Sequence, residues 1–210
     1  MADNPSPLER RRRAPWLFWQ AAENARFSSR VLWATSPDAV TAIADEIFCG
    51  DATPEGMREA FRREAAIALE LVIKTVIAQR IENETARRDV LKVRPVHDLP
   101  ALWGEASLPS LPHEDVGRLV YAKYVLLWTG QYPAPNTDGD YRKMTAELSK
   151  YEDTKFQLGR LRSTVRLSFT WDDFDRIYQT AADTFRAIVP QIDEDGWLII
   201  PEGPRKFTRD

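Results

Sequence analysis

The sequence predicts an all-α protein: an up-and-down helical bundle with short helical insertions and one short strand near the C-terminus. Three observations carry that expectation. Apolar residues recur at helical spacing through four stretches. Proline, glycine and capping residues bound those stretches. No segment repeats elsewhere in the chain, which sets a solenoid aside. With 210 residues, 43% of them apolar, the chain has enough material for one sizeable core. One domain is expected over residues 15–189, with an insertion near 36–58 and an extension after 135. A flexible basic arm at 1–14 precedes it and a tail at 190–210 follows.

The polar, proline-bearing start MADNPSPLERRRR has no periodicity, the signature of a flexible arm. Pro15 suits the first turn of a helix in which Trp16, Trp19, Ala22, Phe27, Val31 and Leu32 fall largely at helical spacing, so the tryptophans are expected to face the core. Ser36 and Pro37 suit the cap and first turn of a short helix inside a connection. The strongest segment follows, where Phe61, Ala65, Ala68, Leu69, Val72, Val76 and Ile77 trace the wide apolar stripe of a long buried helix. Residues 86–97 form a polar connection, after which the Asp98 carboxylate can cap a short helix in LPALWGEA.

Beyond Pro109 and Pro112, Val116, Leu119, Val120, Tyr124, Leu127 and Trp128 mark another core helix, closed by Gly130 and Pro133. Residues 142–169 have a weaker period and read as helix throughout or helix followed by an irregular turn. Thr170 then caps a clear helix whose first turn is acidic, as the helix dipole favours. The tail DGWLIIPEGP is expected to supply the short edge strand.

Composition narrows the chemistry. Cys49 is the only cysteine, which rules out an intrachain disulfide or a thiolate cluster and points to a reducing, cytoplasmic setting. No apolar run approaches the roughly 20 residues that span a bilayer, so no membrane association is expected. The phosphate-loop, dinucleotide, nucleophile-elbow and HExxH signatures are all missing. Two histidines cannot build a His-rich metal site, and no cofactor is expected. Asp172, Asp173 and Asp175 form the one dense acid cluster, which reads as helix-opening stabilisation before it reads as a hard-cation site.

The net charge of −3 argues against a chain wrapped in nucleic acid, although the charges are uneven. Residues 142–166 carry seven basic and three acidic side chains, and residues 172–195 reverse the sign. Helix faces that pair with one another are the simpler explanation. Arg10 to Arg13 precede Trp16, Phe18 and Trp19, a combination suited to phosphate and base contacts, yet the core reading of the tryptophans is preferred. His113 has no legible partner, and Cys49, with no basic neighbour, reads as an inert thiol.

Four features resemble the HEPN domain family: FWQAAENARFSSRVL in the first helix; ALELVIKTVIA in the long helix, with Glu70 and Lys74 four apart; the connection VHDLPALW; and the segment YAKYVLLWTGQYP. The resemblance spans most of residues 16–135 and implies a helical bundle that often dimerises. In many members the bundle is a metal-independent ribonuclease, carrying Arg, four to six intervening residues, then His. There a base takes the ribose 2′-hydroxyl proton while a fixed cation stabilises phosphate charge. This chain departs from that pattern, because Arg94 and His97 are separated by two residues and Arg88 and His97 by eight.

The leading expectation is therefore a non-catalytic HEPN-like module that binds nucleotide, RNA or a protein partner as a homodimer, in a toxin–antitoxin or defence setting. His97 then secures the connection, and Arg87, Arg88, Lys92 and Arg94 form an anion-binding edge. Two alternatives stay open: a divergent ribonuclease using His97 with Arg94 or Arg88, and a structural dimer that supports a neighbouring protein.

Overall fold

The computed structural model describes residues 13–47, 54–129, 135–151, 153–158, 161–165, 167–192 and 198–199. Among the described residues seven α-helices make up the bundle: α1 Pro15–Ala34, α2 Pro37–Glu46, α3 Pro54–Glu82, α4 Leu99–Glu105, α5 His113–Tyr124, α6 Asp138–Leu148 and α7 Trp171–Ile188. A π-helical turn, Val125–Thr129, continues α5. The bundle is all-α, as the periodicity predicts. Outside it the backbone pairs β1 Asp153–Leu158 with β2 Leu161–Val165, and β3 Gln191–Ile192 with β4 Leu198–Ile199, both antiparallel. The first pair replaces the helix or irregular turn expected there, in a stretch containing the strand-favouring Thr154, Phe156, Thr164 and Val165. Of the second pair, β4 falls in the DGWLIIPEGP stretch where one short strand was expected, and β3 precedes that stretch. No described helix is long and apolar enough to cross a membrane.

Helix α3 is the axis. From Ala65 to Gln79 all its residues are buried except Ile67 and Leu71, which are partly so. Trp33 meets Phe61 at 4.8 Å, while Leu17 and Phe18 line one cleft with Leu71 and Lys74, so α1 runs antiparallel to α3. Phe174 meets Phe61 edge-on at 6.3 Å, and Asn83 donates to the Ile188 carbonyl at 2.7 Å near the other end. Helix α7 is thus parallel to α3. The Asn83 contact satisfies one of the carbonyls that every helix C-terminus leaves open.

The face of α1 turned inward is Ala22, Ala25 and Ser29, with Pro15 at its start, and not the tryptophan stripe. Trp16 is 62% and Phe27 71% exposed, which corrects the expectation for that helix. Trp19 packs against the core at 4.8 Å from Phe185, and Leu32 borders it as well. Ala22 and Ala25 of α1 share one core cluster with Ala65, Ala66 and Ala68 of α3, and helices approach closely where contacting side chains are small. Trp16 and Phe27 are left outside the contact, while Trp33 meets it at the Phe61 end.

Two charge networks hold the outer helices. Asp115 of α5, buried, accepts from Arg176 at 2.6 and 3.1 Å and from Arg118 at 2.8 Å. Asp173 pairs with Arg118 at 3.0 Å and Arg176 at 3.2 Å. Its second oxygen accepts from Thr170 and Ser168, and Thr170 and Asp173 complete a capping box. Farther along α5, Lys123 donates to Glu147 of α6 at 3.0 Å and the Tyr124 hydroxyl donates to the same carboxylate. Burial and the Glu147 contact push the Tyr124 phenol above its ordinary range.

Gly117 sits where α5 is approached most closely. A Cβ there would lie 2.6 Å from Cβ of Tyr151 and 2.5 Å from Cδ1 of Leu167. Alanine gains about 1 kcal/mol in helix propensity over glycine, but overpacking costs about 1–3 kcal/mol. Gly117→Ala is therefore expected to lower stability in urea unfolding, and an unchanged or raised midpoint would contradict this packing.

Burial alone would raise the Asp173 carboxyl, but hydrogen bonds from Thr170, the charge of Arg118 and the Ser168 contact together hold it below its ordinary value. A carboxyl whose pKa is lower folded than unfolded contributes stability above the unfolded value, about 3.9, and loses it as pH falls through the folded one. Urea midpoints of the wild type should drop below about pH 4, and Asp173→Asn should flatten that drop. Parallel pH curves would exclude Asp173 as a source of acid sensitivity.

Candidate functional site

Three pieces of chain line a large cleft. The entry to α1 supplies Arg13, Leu17, Phe18 and Ala21, α3 supplies Leu71 and Lys74, and the connection supplies Lys92, Val93, Arg94 and Pro95. Its volume is about 890 Å³, within the range of small-molecule sites. Four cations and no acid line it, above apolar walls. A smaller cavity of about 200 Å³ is lined by Arg63, Ile67, Glu70, Leu71, His97, Val125 and Leu126.

A charged chain joins the two cavities through α3. Lys74, 6% exposed, donates to Oε1 of Glu70 at 2.5 Å, and Glu70, 8% exposed, holds Nδ1 of His97 with Oε2 at 2.7 Å. Their (i, i+4) spacing puts Lys74 and Glu70 one turn apart on the same helix face. An ammonium has three N–H donors, and Lys74 makes no second hydrogen bond among the described residues. Lys74 is also one of the residues that line the large cleft. The Glu70–His97 bond ties the connection down, and one residue later Asp98 caps α4 by accepting from the Ala101 amide at 3.5 Å.

The residues marked out in the sequence separate in space. Lys92 and Arg94 line the large cleft and His97 the small one. Arg94 is forked onto Glu105, with Nε 3.2 Å from Oε2. Arg87 pairs with the exposed Asp89 at 2.8 Å, and its hydrogen bond holds that carboxyl below the usual range. Arg88 is exposed and lines neither cavity. Lys92 is exposed and makes no ion pair among the described residues.

Other candidates have local occupations. His113 stacks on Tyr151 at 4.8 Å and contacts the Lys150 carbonyl at 3.2 Å. In the acid cluster, Asp173 completes the capping box of Thr170 at the start of α7 and Asp175 binds Arg26 at 2.8 Å. Among the described residues no group of three or more histidine, cysteine or acidic side chains could hold a metal. Cys49 and Arg10 to Arg12 lie outside the described residues, as do the side chains of residues 152–166.

Sequence reasoning missed Lys74 as a cleft residue and undervalued Arg13 and Phe18. The signal was the Glu70–Lys74 pair itself, since an opposite-charge pair inside a helix that is apolar all round must be buried together. No family model, curated protein or solved structure matches the chain.

Lys74→Met leaves a buried carboxylate without its ammonium, a loss of about 3–5 kcal/mol for breaking such a pair from one side. Adding Glu70→Gln removes the orphaned charge, so the double variant should recover a large part of that loss in urea unfolding. A double variant as unstable as Lys74→Met would show that the pair is not the source of the effect.

Proposed function

We propose that this chain is a non-catalytic HEPN-like binding module whose large cleft receives the phosphate of a nucleotide or RNA. The observation that carries the reading is Lys74: a buried ammonium with one donor spent on Glu70, on the floor of a cleft walled by Arg13, Lys92 and Arg94. Charge-assisted hydrogen bonds to phosphate are the strong ones, and cations preset around a cavity cost little reorganisation on binding. The apolar surfaces of Leu17, Phe18, Val93 and Pro95 suit the uncharged part of such a ligand. The HEPN relationship rests on the motifs quoted above and the helical bundle.

Binding is favoured over catalysis because Arg94 and His97 line different cavities. The homodimer belongs to the same proposal. Phe27 and Val31, one turn apart on α1, and Ile43 and Ile47 on the α2 segment are exposed apolar residues that a second copy would cover.

Calorimetric titration with inorganic pyrophosphate tests the reading. Binding should weaken as salt rises, and Lys92→Ala should weaken it roughly tenfold, the loss of one charge-assisted hydrogen bond. Absence of binding at low salt would overturn the proposal. Metal-free RNA cleavage that disappears in His97→Ala would replace it with the ribonuclease reading.

A further inference from the structure

We propose that the cleft recognises a terminal phosphate, a phosphomonoester on a nucleotide or on the end of an RNA strand, in preference to the internal phosphodiesters of a chain. This deepens the phosphate-binding reading and rests on it. The argument begins with where the cations sit. Lys92 and Arg94 are exposed at the connection, whereas Lys74 is 6% exposed on α3. A ligand that satisfies all three must place its phosphate at the buried end while its remainder extends outward. An internal phosphodiester carries a nucleoside on each side, and both would have to enter for its oxygens to reach Lys74. A monoester has a single substituent and enters phosphate first.

Charge selects in the same direction. A monoester carries about −1.5 to −2 at neutral pH, while a diester carries one negative charge. The Lys74 ammonium already serves the Glu70 carboxylate at 2.5 Å, so an incoming anion competes with a full carboxylate for that donor. The more highly charged terminal phosphate competes better, with three terminal oxygens against the two of a diester. Lys92, with no ion pair among the described residues, adds a cation that loses no existing partner on binding. Arg94, already oriented by Glu105, adds a guanidinium fixed in position.

The walls select the substituent. Leu17, Phe18, Val93 and Pro95 offer apolar surface, with one aromatic ring, beside the cations. A nucleoside has a flat face that such a surface covers, and stacking of that kind tolerates any base. The inferred ligand is therefore read by its phosphate and held, without sequence preference, by its first nucleoside.

The experiment uses the full chain and calorimetric titration at low salt. The probes are inorganic pyrophosphate, adenosine 5′-monophosphate, adenosine, and one short oligouridylate bearing a 5′-phosphate, a 3′-phosphate or no terminal phosphate. Pyrophosphate should bind, and the terminally phosphorylated strand or the monophosphate should bind at least tenfold more tightly than its unphosphorylated counterpart. Discrimination on strands assigns strand ends, and discrimination confined to the monophosphate assigns a free nucleotide; both support the inference. Lys92→Ala, a surface change that leaves the buried pair intact, should cut the preference severalfold. The Glu70→Gln, Lys74→Met double variant, checked for folding by circular dichroism, should abolish it. Equal affinity for phosphorylated and unphosphorylated forms with pyrophosphate still bound would overturn the terminal-phosphate inference and leave the phosphate reading standing. No binding by any probe would overturn both.

Discussion

Enclosure of α3 is the constraint from which the rest of the structure follows. A helix packed on every side cannot send its polar side chains to water, and a buried polar group without a partner costs more than most contacts return. Each polar residue of its buried stretch is answered internally. Thr75 donates to the Leu71 carbonyl at 2.9 Å and Gln79 to Asn83 at 2.9 Å, while Asn83 in turn reaches α7. Glu70 and Lys74 answer one another, and the second carboxylate oxygen of Glu70 takes His97. The same requirement that makes α3 a core helix thus fixes the 86–98 connection beside it, and the position of that connection makes the cleft.

The α1 contact shows how the same economy shapes the surface. Alanines and a serine are the inward residues because the partner face of α3 is itself rich in alanine. The bulky side chains are displaced to the flanks and the exterior, where two different tasks meet them. Arg26 lies between the Tyr178 and Trp171 rings at 5.1 and 5.9 Å while binding Asp175, which joins α1 to α7 through a cation–π and ion-pair seam. Phe18 and Leu17, on another side of the helix, become walls of the cleft. A helix whose periodicity looks like one apolar stripe is therefore serving three surroundings.

This is why helices were more legible than faces. The spacing of Phe61, Ala65, Leu69, Val72 and Val76 locates α3, and Ser36, Asp98 and Thr170 announce helix starts that the structure confirms through their side-chain hydrogen bonds. Caps are local, so sequence reports them well. The choice of Ala22 over Trp16 as the buried residue depends on a helix some 40 positions away in sequence, and periodicity weights the larger side chain. The π turn after Tyr124 has no signal in the pattern, because one extra residue per turn shifts the register without changing composition. Of the cleft, Lys92 and Arg94 stand out as a basic connection, whereas Lys74 is visible only once its burial is known.

The two cavities are not independent sites. Leu71 lines both, and the Lys74–Glu70–His97 chain has its ammonium in one and its imidazole in the other. Val125 and Leu126, carried by the π turn, line the small cavity with His97. An anion bound as proposed would compete with Glu70 for the Lys74 ammonium, and His97 is the other partner of that carboxylate. Glu70 and Lys74 are buried and share one hydrogen bond, and residues in one such network are not additive, so removing them singly and together gives unequal sums. In this bundle the pair that makes burial of α3 tolerable is also the element through which the floor of the cleft and the histidine of the connection are electrostatically linked.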